Sequence, residues 1–113
     1  MPEELHKIRF STDEIAEAAT AYCSVARIDI PDAVIVGVDI EADPKRMVTL
    51  RFGPTPGGQE PRPVELSQKH MFDALLRYCR DNDIPVARNA RKRAIVEHNA
   101  LVMVIDQGWV GEV

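Results

Sequence analysis

Residues 67–105, SQKHMFDALLRYCRDNDIPVARNARKRAIVEHNALVMVI, decide the fold. Ser67 is a helix-capping residue type, and Met71, Phe72, Leu75, Leu76 and Cys79 recur at three- and four-residue steps behind it. That spacing predicts an amphipathic helix with one buried stripe, and Leu66 with Met71 fits a hydrophobic staple across its start. Asp81-Asn82-Asp83 ends the helix, and Ile84-Pro85-Val86 leaves it in extended form. Lys92–Glu97 and Ala100–Ile105 then read as a hairpin turned at His98-Asn99, pairing Val96 with Leu101 and Ala94 with Met103. These four residues and Ile105 share one face, while Ile95, Val102 and Val104 share the other with Arg93.

Upstream the pattern repeats. Ser11 followed by Glu14 has capping-box spacing, with Asp13 and Glu14 at the positive end of the helix dipole. Ile15, Ala18, Ala19, Tyr22, Cys23 and Ala26 form the buried stripe of this helix, which Pro31 closes at the latest. Ala33–Ile40 and Met47–Phe52 make a second hairpin around Asp43-Pro44. Alternation puts Val34, Val36, Val38 and Ile40 on the core side of its first strand, with Val48, Leu50 and Phe52 opposite. Residues 1–10 read as an extended arm or short edge strand.

The expected fold is therefore α+β: a two-layer sandwich in the order α-β-β-α-β-β. An antiparallel sheet of about four strands carries two helices on one face. One domain spans 1–113, with a Pro/Gly-rich surface loop over 53–65 and a tail over 107–113 carrying Trp109. The back of such a sheet would hold Ile35, Met47, Ile95, Val102 and Val104, and the last strand is apolar on both sides. Three arrangements satisfy it: cover by the N-terminal arm and the Trp109 tail, a central place in the sheet, or a second copy of the chain.

Composition narrows the function classes. The 113 residues are 45 % hydrophobic and 28 % charged, an ordinary globular balance. No apolar run nears the roughly 20 residues of a membrane span. No apolar signal segment follows the acidic start, and a cytoplasmic location is expected. The net charge is −4, divided as −5 over residues 1–65 and +1 over 66–113. An acidic chain with one basic segment suits a local anionic contact better than dedicated nucleic-acid binding, and aromatics for base stacking are few.

That segment supplies the candidate binding residues Arg77, Arg80, Arg88, Arg91, Lys92 and Arg93. They could hold a phosphate, an RNA backbone or an acidic protein; the plainer reading is a solvated turn and a charged guard on an edge strand. Lys69, Asp73, Arg77 and Arg80 line the exposed side of the second helix, with Asp73 and Arg77 at helix-supporting spacing. Cys23 and Cys79 continue buried stripes and read as small apolar residues rather than thiolates. His6, His70 and His98 have no metal-site spacing, and no phosphate-loop or nucleophile-elbow motif occurs, so no cofactor or metal is expected.

The function expected from these features is a non-enzymatic protein-interaction module. It would self-associate as a homodimer through Ile95, Val102 and Val104, with an unspecified protein partner on the basic surface or the Pro/Gly loop. The alternatives are weak nucleic-acid or anionic-ligand binding through 77–93, and an enzyme assembled near the 53–65 loop without a sequence motif.

Overall fold

The computed structural model describes residues 5–106. Over these described residues the fold is a small α+β arrangement of two helices and two three-stranded antiparallel sheets. The elements run β1 (Leu5–Phe10), α1 (Thr12–Ala26), β2 (Ile35–Ile40), β3 (Val48–Phe52), β4 (Val64–Leu66), α2 (Gln68–Asp81), β5 (Arg91–Glu97) and β6 (Ala100–Asp106).

Both helices begin as their sequences dictate. Ser11 accepts from the Glu14 N–H at 3.1 Å, and the Glu14 carboxylate accepts from the Ser11 N–H at 2.8 Å. At α2, Ser67 Oγ accepts from the His70 N–H at 3.1 Å, and His70 Nδ1 takes the returning bond from the Ser67 N–H at 3.2 Å. The box there is closed by an imidazole where Glu or Gln is usual. Leu66 and Met71 are both fully buried at this entry. Ser11→Ala and Ser67→Ala are each expected to lower the unfolding free energy by about 1 kcal/mol in urea titrations, because each strands a helix-end donor.

The two helices also end alike. Arg27 (φ 58°) and Asp83 (φ 56°) take the left-handed conformation, and the next N–H turns back in each case. Ile28 donates to the Cys23 carbonyl at 2.9 Å, and Ile84 donates to the Cys79 carbonyl at 2.8 Å. These return bonds satisfy late helix carbonyls and lay an isoleucine against the last turn.

The last hairpin has the expected register, with Val96 opposite Leu101 and Ala94 opposite Met103. His98 (φ 52°) and Asn99 (φ 61°) supply the two left-handed residues of the turn. The sheets differ from the expected four-stranded layer. Residues 5–10 are a full strand that pairs with β6 from Leu5↔Asp106 to Phe10↔Leu101. The order β1-β6-β5 therefore makes β6 central, which explains a strand that is apolar on both faces. Val64–Leu66 pairs with β3, so the Pro/Gly loop stops before Val64 and the second sheet is β2-β3-β4. The two hairpins thus belong to separate sheets and do not share a ladder.

The valine face of β2 is also corrected. The pairing jumps from Ile35↔Phe52 to Gly37↔Arg51, so Val36 is an extra residue in a bulge. A bulge reverses the alternation. Val38 and Ile40 pack on the core with Ile35, whereas Val34 and Val36 are 74 % and 60 % exposed. Met47, expected on the back, is buried in the core. At Gly37 a side chain would collide with the Arg51 guanidinium, which crosses there to the Asp39 carboxylate at 2.7 Å.

One buried cluster joins all of this. Phe10, Leu101, Met103 and Ile105 enter it from the first sheet, and Val48, Leu50 and Leu66 from the second. Ile15, Ala19 and Cys23 of α1 meet Met71, Leu75 and Cys79 of α2 there.

Candidate functional site

The strand register divides the six candidate cations. Directly paired residues of an antiparallel ladder share a face. Lys92 pairs with Ile105 and lies on the core side, whereas Arg91 pairs with Asp106 and Arg93 with Val104 on the opposite face. Arg91 and Arg93 thus fall outside the open groove of about 650 Å³ that Arg77, Arg80, Arg88 and Lys92 line, although Arg93 meets Lys92 and Lys69 in a separate shallow hollow at the β5 edge.

The groove follows from the end of α2. The return bond at Ile84 folds the chain back, so that Ile84 and Val86 run beside the outer turns carrying Leu76 and Arg80. Tyr22 and Val25 of α1 complete an apolar floor. Tyr22 packs on the His70 ring with centroids 6.0 Å apart. Val25 is 56 % exposed, one of four large apolar side chains so open among the described residues.

Its four cations are not equivalent. The Lys92 ammonium donates to the carbonyls of Arg88 and Ala90, each at 3.1 Å, and so braces the turn that presents Arg88. Arg77 pairs with Asp81 at 3.7 Å, and Asp73 pairs with Lys69 at 3.2 Å. The expected Asp73–Arg77 pair is replaced by these two, each at i,i+4 spacing. Among the described residues Arg80 and Arg88 have no side-chain ion pair, and both are exposed.

The opposite face of the first sheet answers the question of the two-sided strand. Val102 and Val104 are each 2 % exposed within a single chain, and Ile95 is half-buried. Arg9 and Ile95 flank Val102, and Lys7 and Arg93 flank Val104. Their stems can cover apolar surface while the charges reach water. Lys7 reaches Glu97 at 2.8 Å across the sheet. Trp109, the other proposed cover, lies outside the described residues.

The Lys7 hydrogen bond holds Glu97 below the ordinary carboxylate range, and the charges of Lys7, His98 and Arg9 add to the effect. A carboxylate depressed in the folded state stabilises the fold above its unfolded pKa, near 4, and that contribution is lost as pH falls through the folded value. In urea titrations from pH 7 to 3, Lys7→Ala is expected to differ from the wild type at neutral pH and to converge with it in acid.

Nucleophilic chemistry lacks a prepared group at the groove. Cys79 lies against it but is buried, and burial pushes its thiol up, with the Glu14 charge adding to the shift. Burial likewise pushes up Cys23. Both cysteines are free. Tyr78, edge-on to Phe10 at 6.1 Å, is pushed up by desolvation and by its hydrogen bond and proximity to Glu17. Among the described residues no three His, Cys, Asp or Glu side chains are grouped to hold a metal ion, and no helix is long and apolar enough to cross a membrane.

Sequence reasoning named the cations on α2 and the following turn. It missed Tyr22, Val25, Ile84 and Val86 as their apolar complement, and it merged two faces of β5 into one site. The alternation along β5 carried the signal for that division. Comparison with known proteins gives no matching family model, no similar curated protein and no similar solved structure.

Proposed function

We propose that this chain is a non-enzymatic binding module whose docking face is the groove beside α2, and that the groove takes an anionic partner. The observation that carries the reading is the pair Arg80 and Arg88, two exposed guanidiniums without an ion-pair partner among the described residues, on the lips of one apolar groove. An unpaired arginine offers a planar fork of donors suited to carboxylate or phosphate. The acidic remainder of the chain argues for a local contact rather than a long polyanion track.

Self-association through Ile95, Val102 and Val104 has weaker support. That face carries Lys7, Arg9, Arg91 and Arg93 against the carboxylates Glu97 and Asp106, and an excess of one sign on a self-complementary surface costs binding energy.

The test is fluorescence anisotropy with labelled poly-glutamate and poly-lysine of equal length. Poly-glutamate binds, Arg80→Ala/Arg88→Ala weakens it while leaving any poly-lysine contact with the acidic first 65 residues unmoved, and the poly-glutamate affinity falls as salt rises. Arg91→Ala/Arg93→Ala leaves the poly-glutamate affinity within about twofold, because rim charges away from a contact contribute little. Absence of poly-glutamate binding at low salt, or a larger loss in that back-face variant than in Arg80→Ala/Arg88→Ala, would overturn the reading.

A further inference from the structure

We infer that the occupant of the groove is a protein segment carrying both carboxylates and apolar side chains, rather than a polynucleotide. This deepens the proposed function and rests on it.

The cations stand around a floor built from Tyr22, Val25, Leu76, Ile84 and Val86. A phosphate backbone would engage the lips and leave that floor idle, since a backbone contact positions by charge alone. Reading bases there would need stacking platforms. Tyr22 is the one aromatic residue lining the groove among the described residues, and its ring packs on His70.

The apolar floor matches such a partner. Val25 is more than half exposed, and Leu76, Ile84 and Val86 are only partly buried. Together they leave apolar area to be removed from water by an incoming side chain. Arg80 and Arg88 flank that area from different elements, one on α2 and one on the turn that Lys92 braces. A segment laid between them sets leucine-like side chains on the floor and carboxylates on either lip. Apolar groove and charged rim are the usual division of labour in segment recognition.

Three labelled probes of equal net charge separate the outcomes in anisotropy titrations on the full chain: an all-glutamate peptide, a glutamate peptide with leucines at three- and four-residue spacing, and a single-stranded oligodeoxynucleotide. The leucine-bearing peptide is expected to bind at least about tenfold more tightly than the all-glutamate one, the worth of roughly one apolar side chain buried. Val25→Ser and Leu76→Ser narrow that gap. Val25→Ser alone suffices if Leu76→Ser impairs folding, because Val25 is exposed. Equal affinity for the two peptides would overturn the inference while leaving the anionic site standing. Tighter binding of the oligonucleotide would replace the occupant with nucleic acid. No binding of any probe would sink the inference and the proposed function together.

Discussion

Phe10→Ala is expected to lower the unfolding free energy by about 4 kcal/mol, the range for emptying a buried aromatic position. Phe10 is buried, lies opposite Leu101 in the ladder, and sets its ring edge-on to Tyr78 of α2. One side chain therefore fastens β1 both to the central strand and to a helix. A domain of this size has roughly 5–15 kcal/mol in total, so the variant sits near its folding limit. Urea denaturation followed by circular dichroism measures the loss. A change under about 1 kcal/mol would mean that residues 5–10 are a dispensable arm, since that is the scale of ordinary surface substitutions. Val34→Ala, on an exposed side chain beside the β2 bulge, serves as the comparison and changes stability little.

Reversing the two unpaired arginines has the largest expected effect on binding. Arg80→Glu/Arg88→Glu turns both attractive lips of the groove repulsive toward a carboxylate-bearing partner. Like-charge juxtaposition at an interface costs several kcal/mol, so poly-glutamate affinity should fall on the order of hundredfold. Both side chains are exposed, and neither has an ion pair to lose among the described residues; Arg80 is the basic residue of the last turn of α2, so its reversal costs at most about 1 kcal/mol of stability, small beside the expected loss of affinity. That separation of affinity from stability is the diagnostic feature. Arg77→Glu is a poorer choice, because it also breaks the pair with Asp81 on the same helix.

Local rules fixed much of the fold from residue order alone. Ser11 with Glu14 and Ser67 with its staple mark the helix starts, and the two-residue turn at His98-Asn99 dictates the last hairpin down to each pair. These signals are short-range, and propensity, capping and alternation agree in them. The misses are of another kind. Val36 occupies a bulge, and a single inserted residue flips every side chain before it to the other face. Val64–Leu66 is too short to alternate visibly after a proline-rich stretch. The partner of residues 5–10 lies at the far end of the chain, and no local pattern names a strand's neighbour. At the candidate site, the cations were legible as a run, but their division was not drawn from it. Arg91 and Arg93 face one way and Lys92 the other because a strand alternates. The apolar floor needs the left-handed turn at Asp83, which brings Ile84 and Val86 back beside α2.

The most direct test of the groove as a docking face is amide chemical-shift mapping while the leucine-bearing glutamate peptide is added to the isotope-labelled full chain. The largest changes are expected on Tyr22, Leu76, Arg80, Val86 and Arg88. Changes concentrated instead on Arg9, Arg91, Arg93 and Ile95, or along the loop over 53–63, would contradict it.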